Sequence, residues 1–373
     1  MRIWYIIMCT VLILTIVSLV YLSTRVCKFN RIQMVTKNIA IRKAFWGGGI
    51  VFGAFAVLAL ILNFVNAIVC SIYFALIWML CDFVFYVIQK IRRKSFMSYV
   101  AGGLAIVLSL SALSFGWYFD HNVWRTDYVL RADKDVENIR LVMFADSHIG
   151  TTFHAKGFAQ HLGAMQKTNP DVVTIVGDFV DDGTSKEDMI AACQALGEMK
   201  TKYGVYFVFG NHDRGYYGAA HRGFSSSELV AELEKNGVKV LRDEAVLIAD
   251  RVYLIGRQDA SVERERRGMR QSMLDLIKLL DKTKYMIVLD HQPSDYQNQE
   301  AAGVDLVLSG HTHGGQLFPF SQVGQWIGVN NHIYGHERRG KTDFIVTSGL
   351  SNWALKFKTG TKSEFVVVQI EKE

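Results

Sequence analysis

A chain of 373 residues, half of them hydrophobic and carrying a formal charge of +6, has room for one large soluble domain or for a smaller one plus a membrane part. The charge is uneven: residues 1–120 hold 11 Lys and Arg against 2 acids, and the remainder holds 30 against 33. The basic balance therefore belongs to the apolar N-terminal part, and the acidic remainder excludes a basic nucleic-acid-binding surface.

Four apolar runs come first in chain order. About 20 such residues cross a hydrocarbon core of about 30 Å, and Ile3–Leu22, Phe45–Leu62, Ala67–Ile88 and Tyr99–Phe119 meet that length. Asn63–Asn66 reads as a tight hairpin between the second and third. Trp4, Tyr5, Tyr21, Trp46, Trp117 and Tyr118 lie near the ends, where amphipathic rings favour the interface. The loop after the first run holds Arg25, Lys28, Arg31, Lys37, Arg42 and Lys43, and the loop after the third holds Lys90, Arg92, Arg93 and Lys94, with no acid in either. Both loops are expected in the cytoplasm, which puts the N-terminus and everything after the fourth run outside. A cleaved signal peptide fits the first run poorly, because its basic flank is on the wrong side and no small-residue cleavage site follows. Asp82 is the sole acid inside a span and is expected to snorkel or to pair with Lys90 or Arg93 rather than to act as a relay. Of the five cysteines, only Cys193 lies in the polar remainder, and no metal-binding or redox spacing occurs.

Beyond a polar connector, Arg125–Arg131 is a candidate leading strand. Short β-rich runs then alternate with helical stretches. The strands are Ile139–Ala145, Val172–Val176, Val205–Phe209, Val252–Gly256, Tyr285–Leu289, Val304–Leu308, Phe344–Thr347 and Phe365–Ile370. The helices are Ala155–Thr168, Lys186–Thr201, Ser226–Asn236 and Met269–Asp281. Continuous apolar runs suit strands buried on both faces, and the alternation predicts a layered α/β fold. The charge-rich Glu263–Arg267 reads as a solvated loop or helix start.

Five of these strands are followed by chemistry. Asp146-Ser147-His148 follows the first, Gly177-Asp178-Phe179-Val180-Asp181 the second, and Gly210-Asn211-His212-Asp213 the third. His291 follows Tyr285–Leu289, and Gly310-His311-Thr312-His313-Gly314-Gly315 follows Val304–Leu308. Singly, an Asp-x-His is a cap and a Gly-Asp a turn. In open α/β sheets, however, the carboxyl ends of strands face one crevice, so five successive ends would bring carboxylates, an amide and imidazoles together.

This series resembles the calcineurin-like metallophosphoesterase superfamily, and most closely its membrane-associated bacterial YkuE-like branch, over about residues 139–371. The resemblance implies a four-layer α/β/β/α sandwich, here preceded by an all-α transmembrane region of four helices. It also implies two divalent metal ions, one held by Asp146, His148, Asp178 and His313, the other by Asp178, Asn211, His291 and His311. Every ligand position of the pattern is filled. The implied partition is residues 1–120 as the transmembrane region, 121–138 as a linker and leading strand, and 139–373 as the phosphoesterase domain.

Carboxylates and imidazoles without thiolate suit Mn, Fe or Zn. A carboxylate has two oxygens, so Asp178 can bridge ions about 3.5–4 Å apart that turn a bridging water into a hydroxide nucleophile. His212 is then free as general acid or as stabiliser of the leaving oxygen, with Asp213 expected to orient it. His154, and Tyr216 and His221 from the loop Arg214–Phe224, are candidate substrate contacts.

The expected function is membrane-anchored hydrolysis of a phosphoester or pyrophosphate at the cell membrane, with an extracytoplasmic catalytic domain. Resemblance to lipid-pyrophosphate hydrolases of the superfamily implies a lipid-linked or envelope substrate. The alternative makes the helices a receptor or transporter regulated by a phosphoesterase domain, but four short spans with one acid offer little polar lining. A binding module without catalysis would leave the complete ligand set and His212 without a purpose.

Overall fold

The computed structural model describes residues 2–94, 96, 98–264 and 268–373. Two compact units divide the chain: Met1–Trp117 with Ala354–Lys356, and Tyr118–Trp353 with Phe357–Glu373.

The first unit is helical: α1 (Arg2–Val26), α2 (Asn30–Val35), α3 (Ala40–Leu62), α4 (Phe64–Arg92) and α5 (Val100–His121). All but α2 are long and apolar enough to cross a membrane. The expected hairpin is tighter than four residues. Asn63 alone breaks the helix at φ 99°, and its side chain caps α4 by accepting the Asn66 N–H at 3.0 Å. Leu19, Leu22, Val51, Ala75 and Trp78 form a small core, while Leu60, Ile61 and Phe83 stay exposed, as side chains meant for lipid must. Asp82 pairs with neither Lys90 nor Arg93. Its carboxylate lies 3.0 Å from Arg25 and 3.9 Å from Lys28, and accepts the hydroxyls of Tyr99 and Tyr21 at 2.6 and 3.2 Å. The reason is the helix rise: eight residues place Lys90 about 12 Å further along the axis, whereas α1 ends alongside.

The second unit is a sandwich of two six-stranded sheets. Its strands are β1 (Val123–Ala132), β2 (Ile139–Phe144), β3 (Val172–Val176), β4 (Val205–Val208), β5 (Val238–Val240), β6 (Glu244–Ile248), β7 (Val252–Gly256), β8 (Tyr285–Leu289), β9 (Leu306–Ser309), β10 (Gly335–Arg339), β11 (Thr342–Val346) and β12 (Ser363–Lys372). The orders are β1-β12-β2-β3-β4-β5 and β10-β11-β9-β8-β7-β6. Helices α6 (Ala155–Gln166), α7 (Lys186–Gly197), α8 (Ala219–Arg222) and α9 (Ser226–Lys235) belong to the first half, and α10 (Ser261–Arg264), α11 (Met273–Ile277), α12 (Tyr296–Ala302) and α13 (Val323–Trp326) to the second.

Strand periodicity makes the layers. On β2, Val142 and Phe144 pack with Phe158, Leu196 and Leu229 of the helices, whereas Leu141 and Met143 pack with Ile287, Leu306 and Ile345 of the other sheet. A third cluster joins Val288 and Val307 to Met273, Ile277 and Tyr296. Helix, sheet, sheet and helix follow in that order, the four-layer α/β/β/α arrangement expected. β1 runs parallel to β12 over ten residues, so the leading strand is part of the sheet. The expected helix Met269–Asp281 contracts to α11, because Ser272 caps it by accepting the Asp275 N–H and the Arg270 side chain turns to Asp290. Glu263 and Arg264 end α10, and residues 265–267 lie outside the described residues.

Candidate metal centre

Strands β2, β3 and β4 are mutually parallel, as are β7, β8 and β9. Within each sheet their carboxyl ends therefore open at one edge, and the motif loops leave from there. Asp146, His148, Asp178, Asn211, His212, Asp213, His291 and His313 are all buried, and His311 is partly so. Five of them, Asp146, His148, Asp178, His311 and His313, have φ between 38° and 71°, a region non-glycine residues seldom occupy. Such strain gathers where a functional geometry is held in place.

Two donor groups result. Ligand atoms of Asp146, His148 and His313 lie within 4.8 Å of one another, and so do those of Asp178, His291 and His311. Asp178 stands between the groups: its Oδ2 is 3.2 Å from His291 Nε2 and 3.7 Å from His148 Nε2. Its Oδ1 accepts the His212 N–H at 2.8 Å. A methyl at Gly210 would overlap Asp178, so only glycine lets the β4 loop come this close.

The imidazoles are fixed from behind. His148 Nδ1 faces Asp181 at 3.2 Å, His291 Nδ1 meets the Val176 carbonyl at 2.8 Å, and His313 Nδ1 the Ser351 carbonyl at 3.3 Å. At His291 and His313 the hydrogen bond at Nδ1 sets the tautomer and turns Nε2 inward, the usual support for a ligating histidine. Asp181 and Ser351 were not foreseen. Asp181 sits inside the quoted Gly-Asp motif, three residues beyond Asp178, but Ser351 comes from a distant loop with no signature.

Divalent ions fit this cluster. Asn211 Oδ1, His148 Nε2 and His291 Nε2 are buried and lack a hydrogen-bond partner, an arrangement costly unless a cation takes their lone pairs. Burial pushes Asp146 up to about 6, and burial followed by Asp178 pushes Asp213 up to about 7. Burial, then His291, pulls His311 down to about 4, and burial holds His212 below its usual value. Buried carboxylates crowded among imidazoles are an oxygen and nitrogen donor set that suits a divalent cation.

The remaining candidates divide. Tyr216 is at the centre: its hydroxyl accepts Asn211 Nδ2 at 3.0 Å and its ring is 5.1 Å from that of His212. His154 is instead tied to Asp188 at 2.7 Å, and its side chain is 75% exposed. His221 is exposed on α8 against Tyr217. Asp213 also has a structural task. Its two oxygens accept the backbone N–H groups of Asp178, Phe179, Val180 and Gly210 at 2.7–3.0 Å, which joins the β3 and β4 loops. The ring of His212 is flanked by Trp353 at 4.9 Å and His148 at 5.1 Å. Trp353 was not foreseen either, since a lone Trp in a late loop carries no pattern.

A model of calcineurin-like phosphoesterases matches residues 139–315. An uncharacterized metallophosphoesterase of Campylobacter jejuni is 28% identical over 312 residues, covering 81% of this chain and 78% of that protein. A transmembrane protein with metallophosphoesterase domain from Danio rerio is 31% identical over 255 residues, covering 65% of this chain and 55% of that protein. YkuE of Bacillus subtilis, an uncharacterized metallophosphoesterase, is 24% identical over 299 residues, covering 76% and 99%. The motifs on the strand ends, the layered sandwich and these relatives agree: residues 139–315 form a calcineurin-like phosphoesterase domain, and the chain is a phosphoester hydrolase.

Proposed function

We propose that this chain hydrolyses a phosphoester or pyrophosphate bond at a two-metal centre outside the cytoplasm, on a lipid-linked or envelope substrate. The observation that carries the reading is Asp178, whose one carboxylate faces both donor groups. Asp146, His148, Asp178 and His313 would hold one ion, and Asp178, Asn211, His291 and His311 the other. Bound Mn, Fe or Zn would supply Lewis-acid neutralisation of the phosphoryl oxygens and acidification of water. Asn211 ligates through a neutral oxygen and so adds no negative charge opposite an anionic substrate. His212 lies against His148 but in neither donor group, and its ring would donate an N–H to the leaving oxygen. Trp353 and Tyr216 hold that ring from two sides and keep water from it. Tyr216 is retained as a substrate contact; His154 and His221 would meet only a substrate long enough to reach them.

The proposed partition keeps residues 1–120 as the membrane region, 121–138 as linker and leading strand, and 139–373 as the catalytic domain. The membrane link is supported by four apolar helices. Anchoring confines the enzyme to the layer where a lipid-linked substrate lies and raises its effective concentration there without a new contact.

The test is a hydrolysis profile of the purified full chain against aryl phosphodiesters, monoesters and isolated lipids. Chelation is expected to abolish turnover and Mn to restore it; unchanged turnover after chelation would remove the two-metal reading. For orientation, protease added to intact spheroplasts is expected to digest the part after α5. Protection of that part would put the centre in the cytoplasm and reopen cytoplasmic substrates.

A further inference from the structure

We propose that the helical unit carries a binding site for one anionic phospholipid, with the lipid phosphate held by Arg25 and Lys28. A cavity of about 360 Å³ opens where α1 ends and α5 begins, lined by these two cations, Asp82, Gln89, Tyr99 and Phe85 among others. Its volume is in the range of about 300–1,000 Å³ typical of ligand cavities.

Charge decides what it takes. Two cations face one carboxylate, and Asp82 is the single acid in residues 1–119. No other acid of this unit can neutralise the second cation, so one positive charge is left over for a ligand. The cations are also held in place. Arg25 lies over the Tyr21 ring at 4.5 Å, and Lys28 over the Tyr99 ring at 5.1 Å. Asp82 in turn accepts the Tyr99 hydroxyl, which itself accepts the Trp78 ring N–H at 2.8 Å. Little side-chain freedom remains to be lost when an anion arrives.

The ligand is a lipid rather than a soluble anion for two reasons. Phe85 and Phe96 line the cavity, their rings 5.3 Å apart, an apolar wall that suits glycerol and the start of an acyl chain. The position is also right: Arg25 is in the last turn of a spanning helix, where the basic loops indicate the cytoplasmic leaflet. Basic pockets between spanning helices on that side are suited to anionic head groups. This site is separate from the metal centre, and its test does not depend on hydrolysis.

Native mass spectrometry of the full chain in neutral detergent tests it, with phosphatidylglycerol, phosphatidylcholine or inorganic phosphate added. One phosphatidylglycerol is expected to stay bound where phosphatidylcholine is lost. Arg25→Gln and Lys28→Gln are each expected to weaken retention about fivefold, the factor for roughly 1 kcal/mol per basic side chain at an anionic surface. Lys28, 45% exposed and 3.9 Å from Asp82, can be changed with little risk to folding. A cooperative thermal unfolding transition like that of the unchanged chain reports that each variant is folded. Equal retention of both lipids, or unchanged retention in folded Lys28→Gln, would overturn the site. Displacement of the lipid by equimolar inorganic phosphate would overturn the lipid assignment.

Discussion

Replacing Asp178 with asparagine is expected to stop turnover and empty the metal centre at once. The substitution keeps the side chain's shape and an oxygen to accept the His212 N–H, now 2.8 Å from Oδ1, so the loops should stay where they are. What it removes is the negative charge that faces His291 at 3.2 Å and His148 at 3.7 Å. Any other ligand change would weaken one ion, whereas this one weakens both. Turnover of an aryl phosphodiester should fall by at least the roughly 10²–10³-fold that a single preorganised electrostatic group is worth. Elemental analysis should show fewer than one equivalent of ion per chain, with cooperative unfolding preserved. A variant that keeps both ions and full turnover would remove Asp178 from the shared position.

His212→Ala should behave differently. Its ring is packed among Trp353, Tyr216 and His148 and belongs to neither donor group, so metal content should be unchanged. The expected loss is in kcat, by roughly 10²–10⁴-fold, the usual span of general acid help. That loss should depend on the leaving group: an alkoxide needs a proton, whereas a nitrophenolate leaves readily without one. The variant should therefore be much closer to wild type on nitrophenyl esters than on alkyl esters. A uniform loss across both, with metal gone, would make His212 a ligand instead.

Which parts could be read from the sequence follows from where information is local. The spanning helices and the central strands announce themselves, because burial on all sides demands unbroken apolar runs. Strands β5, β6 and β10 do not: they are short, partly exposed and carry charges such as Lys239, Glu244 and Arg338. The residues of the two donor groups were legible because parallel strands force their carboxyl ends to one edge, so order along the chain predicts nearness in space. Contacts between distant segments had no such rule. Neither the meeting of Asp82 with Arg25 nor the packing of Trp353 on His212 leaves a pattern in either segment. The backbone contacts of Asp213 were hidden for a related reason. Beside a histidine a carboxylate suggests ring support, but the turn after β4 points it at four amides that nothing else would satisfy.

The supports behind the histidine rings bear on where the cost of ordering the donor groups falls. The Val176 and Ser351 carbonyls hold two of the rings by hydrogen bonds and Asp181 lies against a third, and the backbone is left-handed at five of the donor positions. The conformational cost of arranging these donors therefore falls on folding rather than on binding.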